Sequence, residues 1–400
     1  MMEKELKAPK LRFPGFTDDW EQRKVSDLLE ERNEQAPESA EYPLTAFIAN
    51  EGVAPKGERY DRGALVKDAE NKNYKKTELG DFIYSSNNLE TGSIGLNNYG
   101  NASISPVYSI FRPTGIVDSD FIGRRFVRKD FINSMVKWRQ GVVYGQWRIH
   151  ESDFLKIEVA VPSLEEQRKI GDYFRNLNTL ITLHQRKLDT LKKLKKGFLQ
   201  KMFPKNGESV PEIRFPGFTD AWEQRKFGDV FNEYSEKKHP ELPALTIIQG
   251  TGTILRDESD RKLQYDKASL VNYKLVNKDD LIVHLRSFEG GLEKANSEGI
   301  VSPAYHIFHG ENTDTRFYYP FFRSRRFIDV LLKPHVYGIR DGKSIDIEGM
   351  KTISIPVPSY EEQEKVGDFI EKLDNLITLH QRKLDTLKKF KQGMLQQMFI

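Results

Sequence analysis

LITLHQRKLDTLKK, residues Leu180–Lys193, recurs without a change as residues Leu376–Lys389. A second pair agrees with it, because RFPGFTDDWEQRK at Arg12–Lys24 returns at Arg214–Lys226 with one aspartate replaced by alanine. The 400 residues therefore contain two copies of one plan: a short opening motif, a long variable body and a long helix. That length is enough for two domains of ordinary size, each with its own core.

The composition is typical of a globular protein: 38% of the residues are hydrophobic and 30% are charged, so both copies can bury a core. No apolar run reaches the roughly 18 residues of a membrane span, and the start, MMEKELKAPK, lacks the apolar stretch of a signal peptide. We therefore expect a cytoplasmic protein with no membrane contact. The absence of cysteine excludes disulfides, thiolate metal sites and thiol nucleophiles.

The net charge of +3 is uninformative by itself, but its distribution is uneven. Ser163–Pro204 has 10 basic against 4 acidic residues, whereas Ser359–Ile400 has 7 of each. Both bodies are slightly acidic. Charge composition alone would therefore not reveal binding to nucleic acid.

Each long helix begins after a proline with a capping pattern, Ser163 with Glu166 and Ser359 with Glu362. In this pattern the serine accepts from an unpaired amide and the glutamate reaches back. A helix of about 40 residues is roughly 60 Å long. The chain thus divides into four segments: residues 1–162, the first opening motif and body; 163–208, the central helix; 209–358, the second opening motif and body; and 359–400, the last helix.

Apolar residues recur along both helices at alternating steps of four and three, which is typical of a coiled-coil seam. Two seams of one design most simply pack on each other, and connectivity makes them antiparallel, since the first helix leads to the second body and the second leaves it. The two seam histidines most simply set the register; metal binding or proton transfer is the alternative. The residues predicted to pair the helices or dock a partner are Ile170, Phe174, Leu177, Ile181, His184, Leu188, Leu191, Ile370, Leu373, Ile377, His380, Leu384 and Leu387.

The two bodies differ over most of their length, yet matched fragments indicate one fold. SISPVYSIF at Ser103–Phe111 matches GIVSPAYHIF at Gly299–Phe308, and GDFIYSS from Gly80 matches DDLIVHL from Asp279. These fragments predict short strands, and later aromatic-basic stretches predict helices. The predicted fold class is α/β (α+β): two bodies joined by two long antiparallel helices, with a pseudo-twofold internal repeat.

Each body closes with a predicted loop and strand, and the loops are rich in side chains that reach base edges or phosphates. The alternative is an ordinary solvated loop. The first loop contributes Tyr144, Gln146, Trp147 and Arg148; the second contributes Tyr337, Arg340 and Lys343.

The sequence contains none of the catalytic motifs that we sought. Asp341-Gly-Lys-Ser344 lacks the spacing of a phosphate loop, and there is no dinucleotide fingerprint, HExxH or Asn-Pro-Pro-aromatic motif. We therefore predict no catalytic, cofactor-binding or metal-binding residue in this chain.

The whole chain resembles the specificity subunit of type I restriction-modification enzymes. The resemblance rests on the two-copy layout, the RFPGF-x3-WEQRK motifs, the VPSLEEQ and VPSYEEQ joints and the LITLHQRKLDTLKK helices. It implies a non-enzymatic subunit in which each body is a target recognition domain reading one half of a bipartite, asymmetric DNA site. The helices would form a spacer that sets the gap and docks methyltransferase subunits.

The resemblance also implies the partners: double-stranded DNA, two methyltransferase subunits, and restriction/translocase subunits in the full complex. S-adenosylmethionine, ATP and Mg²⁺ are then expected in those partners and not in this chain. By position, the closing loops Gly141–Arg148 and Val336–Lys343 would lie against DNA. Weaker candidates for DNA contact are Ser85, Ser86, Asn87, Asn88, His284 and Arg286 in matching loops, together with Lys75, Lys76, Arg256 and Arg261.

Two other readings stay open at this point. A coiled-coil scaffold that binds two proteins would suit the helices equally well. A self-sufficient nuclease or methyltransferase is disfavoured by the missing motifs.

Overall fold

A computed structural model describes residues 8–55, 72–142, 146–205, 208–259, 267–284, 291–338 and 344–400. The chain forms two compact units: unit 1 is Met1–His184 together with Lys383–Ile400, and unit 2 is Gln185–Arg382. Unit 1 thus combines the first body with the end of the chain.

Unit 1 is built from short antiparallel strands and short helices around an aromatic core. Its elements before the long helix are β1 (Glu21–Lys24), α1 (Val25–Leu28), β2 (Leu29–Glu31), β3 (Gln35–Ala36), β4 (Thr45–Ile48), β5 (Gly52–Pro55), β6 (Tyr74–Thr77), β7 (Phe82–Tyr84), β8 (Ile94–Leu96), β9 (Ala102–Ile104), β10 (Ser109–Pro113), α2 (Ser119–Arg125), α3 (Lys129–Val136), β11 (Gln140–Val142), β12 (Gln146–Arg148), α4 (Glu151–Phe154) and β13 (Glu158–Val161). The main sheet has the order β2-β10-β7-β8, beside a sheet β3-β6-β9 and the pairs β1-β13, β4-β5 and β11-β12. Its core includes Trp20, Phe82 and Phe154.

Unit 2 repeats this architecture after α5 (Leu164–Lys201), the first long helix. Its elements are β14 (Glu223–Lys226), α6 (Phe227–Val230), β15 (Phe231–Tyr234), β16 (Leu245–Ile248), β17 (Gly252–Leu255), β18 (Lys274–Val276), β19 (Leu281–Val283), β20 (Glu293–Lys294), β21 (Gly299–Val301), β22 (His306–Gly310), α7 (Thr315–Phe322), β23 (Val336–Tyr337), β24 (Ser344–Ile345), α8 (Ile347–Lys351) and β25 (Ser354–Val357). The second long helix, α9 (Tyr360–Gln397), follows, and its residues from Lys383 onward belong to unit 1. A π-helix, Arg326–Leu332, follows α7. The main sheet, β15-β22-β19-β20, has the strand order of its counterpart in unit 1.

The registers of the two main sheets confirm that the bodies share a fold. Phe111 pairs with Phe82 in unit 1, and Phe308 pairs with Leu281 in unit 2. Phe111 and Phe308 occupy equivalent positions of one matched fragment, and Phe82 and Leu281 occupy equivalent positions of the other. Sheet register is strongly specified where one face is buried, so a common alternation of buried residues survives although most side chains differ.

The long helices α5 and α9 are antiparallel, as predicted. In unit 1, the ring of Phe174 on the first half of α5 lies 6.2 Å from that of Phe399, just beyond the end of α9. In unit 2, the ring of Phe198 near the end of α5 lies 4.9 Å from that of Phe369 near the start of α9. Each helix has 38 residues, and a rise of 1.5 Å per residue makes it about 57 Å long.

The predicted seam residues lie on the inner faces of these helices. Most are buried: Ile170, Phe174, Leu177, Leu188, Leu191, Ile370, Leu373 and Leu384. The others are half-buried: Ile181, His184, Ile377, His380 and Leu387. Apolar burial of this kind, rather than helix propensity, stabilises a helix in a protein.

The glutamates of the two capping patterns have a different role from the one predicted. Ser163 caps its helix through Oγ, which accepts from the Glu166 amide. The Glu166 carboxylate, however, does not reach back to the serine; it accepts two hydrogen bonds from the Arg12 guanidinium, at 2.8 and 2.7 Å. Arg214 binds Glu362 with the same two distances. Tertiary contact with the opening motif therefore replaces half of each capping box.

A neighbouring glutamine adds two hydrogen bonds beside each of these arginine–glutamate pairs, and we call each resulting set of contacts the clamp. The Gln167 side chain accepts from the Asp118 amide at 3.0 Å and donates to the Pro162 carbonyl at 2.9 Å. Gln363 makes the same two bonds in unit 2, with the Asp314 amide and the Pro358 carbonyl. Charge-assisted bidentate bonds are strong and fix geometry. The repeated opening motifs and helix starts therefore hold each body on its long helix.

None of the helices within the described ranges has the length and apolarity needed to cross a membrane.

Candidate nucleic-acid interface

The closing segment of the first body is a hairpin, not the loop that the sequence predicted. Strands β11 and β12 pair antiparallel, with Gly141 opposite Trp147 and Gln140 opposite Arg148. Gln146, Trp147 and Arg148 are all exposed. Gly141 and Gly145 obscured the strand pattern in the sequence, because glycine is depleted in strands. Tyr144 lies outside the described residues.

Arg148 is loosely held. Its guanidinium lies 3.5 Å from the Glu151 carboxylate, and 55% of its side chain is exposed. Burial of Glu151 opposes ionisation, but its own backbone amide, a hydrogen bond from Ser109 and the charge of Arg148 outweigh that effect and lower the pKa of the carboxyl. An ionised Glu151 therefore holds the Arg148 side chain by a weak contact and leaves the guanidinium donors available to a ligand.

The predicted Ser85–Asn88 loop lies directly against this hairpin. Asn87 Oδ1 accepts from the Trp147 amide at 2.6 Å, and Ser86 Oγ accepts from the Ile149 amide at 3.0 Å. Two candidate segments about 60 residues apart are thus brought together. Asn88 is exposed, whereas Ser85 is buried and is therefore not available to DNA.

The two candidate lysines of unit 1 are placed less favourably. Lys75 on β6 is only 7% exposed, so the prediction that it contacts DNA is not supported by its position. Its neighbour Lys76 is half-buried, with the ammonium 4.7 Å from the centroid of the Tyr42 ring. The sequence reading did not account for register, which turns alternate side chains of a strand to opposite faces.

Unit 2 ends its body with an equivalent hairpin. Strands β23 and β24 pair antiparallel, with Tyr337 opposite Ser344. Tyr337 is 60% exposed. Arg340 and Lys343 lie outside the described residues, as do Arg261 and Arg286.

The remaining two candidates of unit 2, Arg256 and His284, each contact a tyrosine that was not predicted from the sequence. The His284 ring stacks on Tyr305 with centroids 5.4 Å apart. Arg256 lies over the ring of Tyr273 and donates to its hydroxyl at 3.1 Å. Burial raises the pKa of the Tyr305 phenol, and the nearby Arg256 charge opposes that rise. Arg256 and His284 thus belong to one aromatic-basic cluster, which the adjacent Tyr273 and Lys274 could have indicated.

Comparison with known proteins agrees with this architecture. Residues 17–193 and 219–389 each match the family described as type I restriction modification DNA specificity domain. The chain belongs to this family. It therefore has two recognition domains, and its function is that of a DNA specificity subunit of a type I restriction-modification system, as the sequence predicted.

Several proteins of this family are similar over long stretches. A putative type I restriction enzyme MjaX specificity subunit of Methanocaldococcus jannaschii is 20% identical, covering 98% of this chain and 95% of that protein. The MjaVIII specificity subunit of the same organism is 25% identical, covering 67% and 66%. The crystal structure of the S subunit from M. genitalium matches with a TM-score of 0.60 at 14% identity, covering 98% of this chain and 99% of that chain. At this identity the last match supports the fold alone.

The assignment of individual contacts in this specificity subunit, and the domain boundaries after residues 162, 208 and 358, stay predictions.

Proposed function

We propose that each recognition domain reads one half of a bipartite, asymmetric DNA site through its closing hairpin. The observation that carries this proposal is the recurrence of the hairpin: β11-β12 and β23-β24 both occupy the segment before the strand that leads into a long helix. Both place aromatic side chains in solvent, Trp147 at 49% and Tyr337 at 60% exposure. Exposed aromatic residues at one position of two divergent domains favour a common binding role.

A two-stranded ribbon fits the major groove of DNA, where each base pair presents a distinct pattern of donors and acceptors. The first hairpin offers Gln146 and Arg148, whose side chains suit adenine and guanine respectively. The weak contact between Arg148 and Glu151 supports its recruitment by DNA. Trp147 would add apolar contact to a thymine methyl or a sugar.

We further propose that the long helices set the gap between half-sites and dock two methyltransferase subunits. Both helices leave large apolar side chains exposed at matching positions of the repeat. These side chains are Leu180, Leu183 and Leu194 on α5, and Leu376, Leu379 and Phe390 on α9, and each is between 43% and 55% exposed. Exposed apolar residues at repeated positions are expected where the same partner binds twice.

The chemistry is assigned to the partners. Adenine methylation with S-adenosylmethionine would belong to the methyltransferase subunits, and Mg²⁺- and ATP-dependent translocation and cleavage to the restriction subunits. The absence of the corresponding motifs from the sequence supports a non-catalytic role for this chain. Such a complex would act on chromosomal and incoming DNA in the cytoplasm.

A binding assay tests this proposal. The chain, purified with its methyltransferase subunits, is mixed with a pool of randomised duplexes, and the retained duplexes are sequenced. The proposal predicts enrichment of two short motifs at a constant separation. Retention of protein partners without any enriched duplex would favour a protein scaffold instead.

A further inference from the structure

The loop beside the first hairpin extends from Ser85 to Ser93, and its own hydrogen bonds make it stiff. The Ser85 amide donates to the Ser93 carbonyl at 2.8 Å, and the Ser93 amide donates to the Asn88 carbonyl at 2.9 Å, so the loop is closed by its own backbone. Leu89, at its centre, is fully buried in the core of unit 1. The side chains of Ser86 and Asn87 therefore project from a fixed support.

These two side chains occupy one edge of β12. Successive amides of an antiparallel strand point to opposite edges. The amides of Trp147 and Ile149, two residues apart, donate to Asn87 and Ser86, which places this edge away from β11. The loop thus offers two acceptors where a neighbouring strand would offer carbonyl groups.

A third contact from the same loop holds the other strand. The Glu90 carboxylate lies 2.9 Å from Arg139 Nη1, immediately before β11, and only 11% of the Arg139 side chain is exposed. Asn87 therefore contacts β12 and Glu90 contacts the residue before β11, so one loop supports both strands of the hairpin. An isolated two-stranded hairpin is marginally stable in water, so an external support of this kind decides how well its exposed face is oriented.

We propose that Ser86 and Asn87 are positioning residues for the first reading hairpin and that they do not read bases themselves. This inference rests on the proposed reading role of β11-β12, and it replaces the sequence-based expectation that both residues contact DNA. Asn87 would set the tilt of Trp147 and Arg148 through the backbone of β12. Specificity for the first half-site would then depend on a residue that need not touch it.

The chain provides its own controls. In the second body the residue aligned with Asn87 is Arg286, so Asn87 variants change only the first body and the second half-site serves as an internal control. Asn88, the exposed neighbour of Asn87, takes part in the loop through its backbone amide and carbonyl. Asn88→Ala should therefore leave the hairpin in place.

The decisive variants are Asn87→Ala and Asn87→Asp. Alanine removes the acceptor, whereas aspartate keeps an oxygen at the same position. A lost hydrogen bond corresponds to about a three- to tenfold effect. For Asn87→Ala we expect faster amide exchange in residues 146–149, and about a three- to tenfold loss of discrimination between correct and altered first half-sites by the complex with its methyltransferase subunits. Second half-site discrimination should not change.

Asn87→Asp distinguishes positioning from reading. It should retain the slow exchange and the base preference of the wild type, with at most a uniform, salt-dependent loss of affinity from the added charge. A changed base preference in Asn87→Asp would show that Asn87 reads DNA and would overturn the inference, as would unchanged exchange in Asn87→Ala. Thermal unfolding of each variant checks that the chain stays folded.

Failure of the underlying proposal gives a different result. If Arg148→Ala and Trp147→Ala alter neither half-site, the hairpin is not a reader, and the positioning role falls with it. If they impair the first half-site while Asn87→Ala does not, the hairpin reads DNA and only the inference about Asn87 is wrong.

Discussion

The buried ion pair between Arg12 of the first opening motif and Glu166 of the first long helix allows a direct test of what holds each domain together. The Glu166 carboxylate is 1% exposed, and Arg12 is 13% exposed. Arg12→Ala removes both donors and leaves a buried charge without its partner, which costs about 3–5 kcal/mol. At 1.4 kcal/mol for each factor of ten, 3 kcal/mol lowers the folding constant of unit 1 more than 100-fold.

The same motif supplies a matched control. Arg23 pairs with Glu21, but their side chains are 44% and 67% exposed, so Arg23→Ala should cost only about 0–1 kcal/mol. The duplicated pair supplies a second comparison. Glu362 also accepts from the Trp222 indole at 2.9 Å, so Arg214→Ala leaves that carboxylate one donor and should cost less than Arg12→Ala.

Hydrogen exchange at increasing urea concentrations measures the two units separately, because peptides around Trp20 and Trp222 report on different units. Arg12→Ala should accelerate exchange around Trp20 and spare Trp222. A double variant, Arg12→Met with Glu166→Gln, should recover much of the loss, because no uncompensated charge stays buried. If Arg12→Ala destabilises the chain no more than Arg23→Ala, the clamp does not hold the domain, and this reasoning is wrong.

Three other outcomes follow from the structure. Phe399→Ala should destabilise unit 1 by about 3–5 kcal/mol in urea unfolding, because Phe399 is 3% exposed and fills an aromatic core; intact stability would show that the chain end is dispensable. The double variant Leu183→Ala, Leu379→Ala should change the free energy of unfolding by no more than about 0.5 kcal/mol but should weaken capture of methyltransferase subunits. The control Leu79→Ala, at another exposed leucine, should not affect capture. Folding lowers the pKa of Glu151, so its contribution to the free energy of unfolding is present above the ordinary glutamate pKa near 4.5 and is lost as the pH falls through the lower folded value. Glu151→Gln should therefore flatten the dependence of stability on pH below about pH 5. An unchanged dependence would contradict this.

The sequence predicted the large-scale order well because the repeat is a direct signal. Two matching helical seams and the chain connectivity were enough to predict antiparallel helices, and burial at Phe174 and Leu188 agrees. Local patterns near glycine were less informative: Gly141 lies in a strand that the sequence reading assigned to a loop.

The failures share one physical origin, which is tertiary contact. Glu166 was expected to cap its own helix, but a bidentate arginine from the opening motif competes successfully for the carboxylate. Lys75 and Ser85 were expected to face DNA, but register and loop closure bury them. The support of Trp147 by Asn87 joins residues far apart in sequence, and a local pattern cannot reveal it.

The most direct test of the central claim, that two domains read two half-sites separately, is a map of adenine methylation in cells that express this chain with its methyltransferase subunits. The wild type should methylate one bipartite motif with a constant gap. Arg148→Ala should relax only one half of that motif and Arg340→Ala only the other, each by the roughly 1–3 kcal/mol of a lost bidentate base contact. A continuous motif, or equal and sequence-independent losses in both variants, would contradict the account.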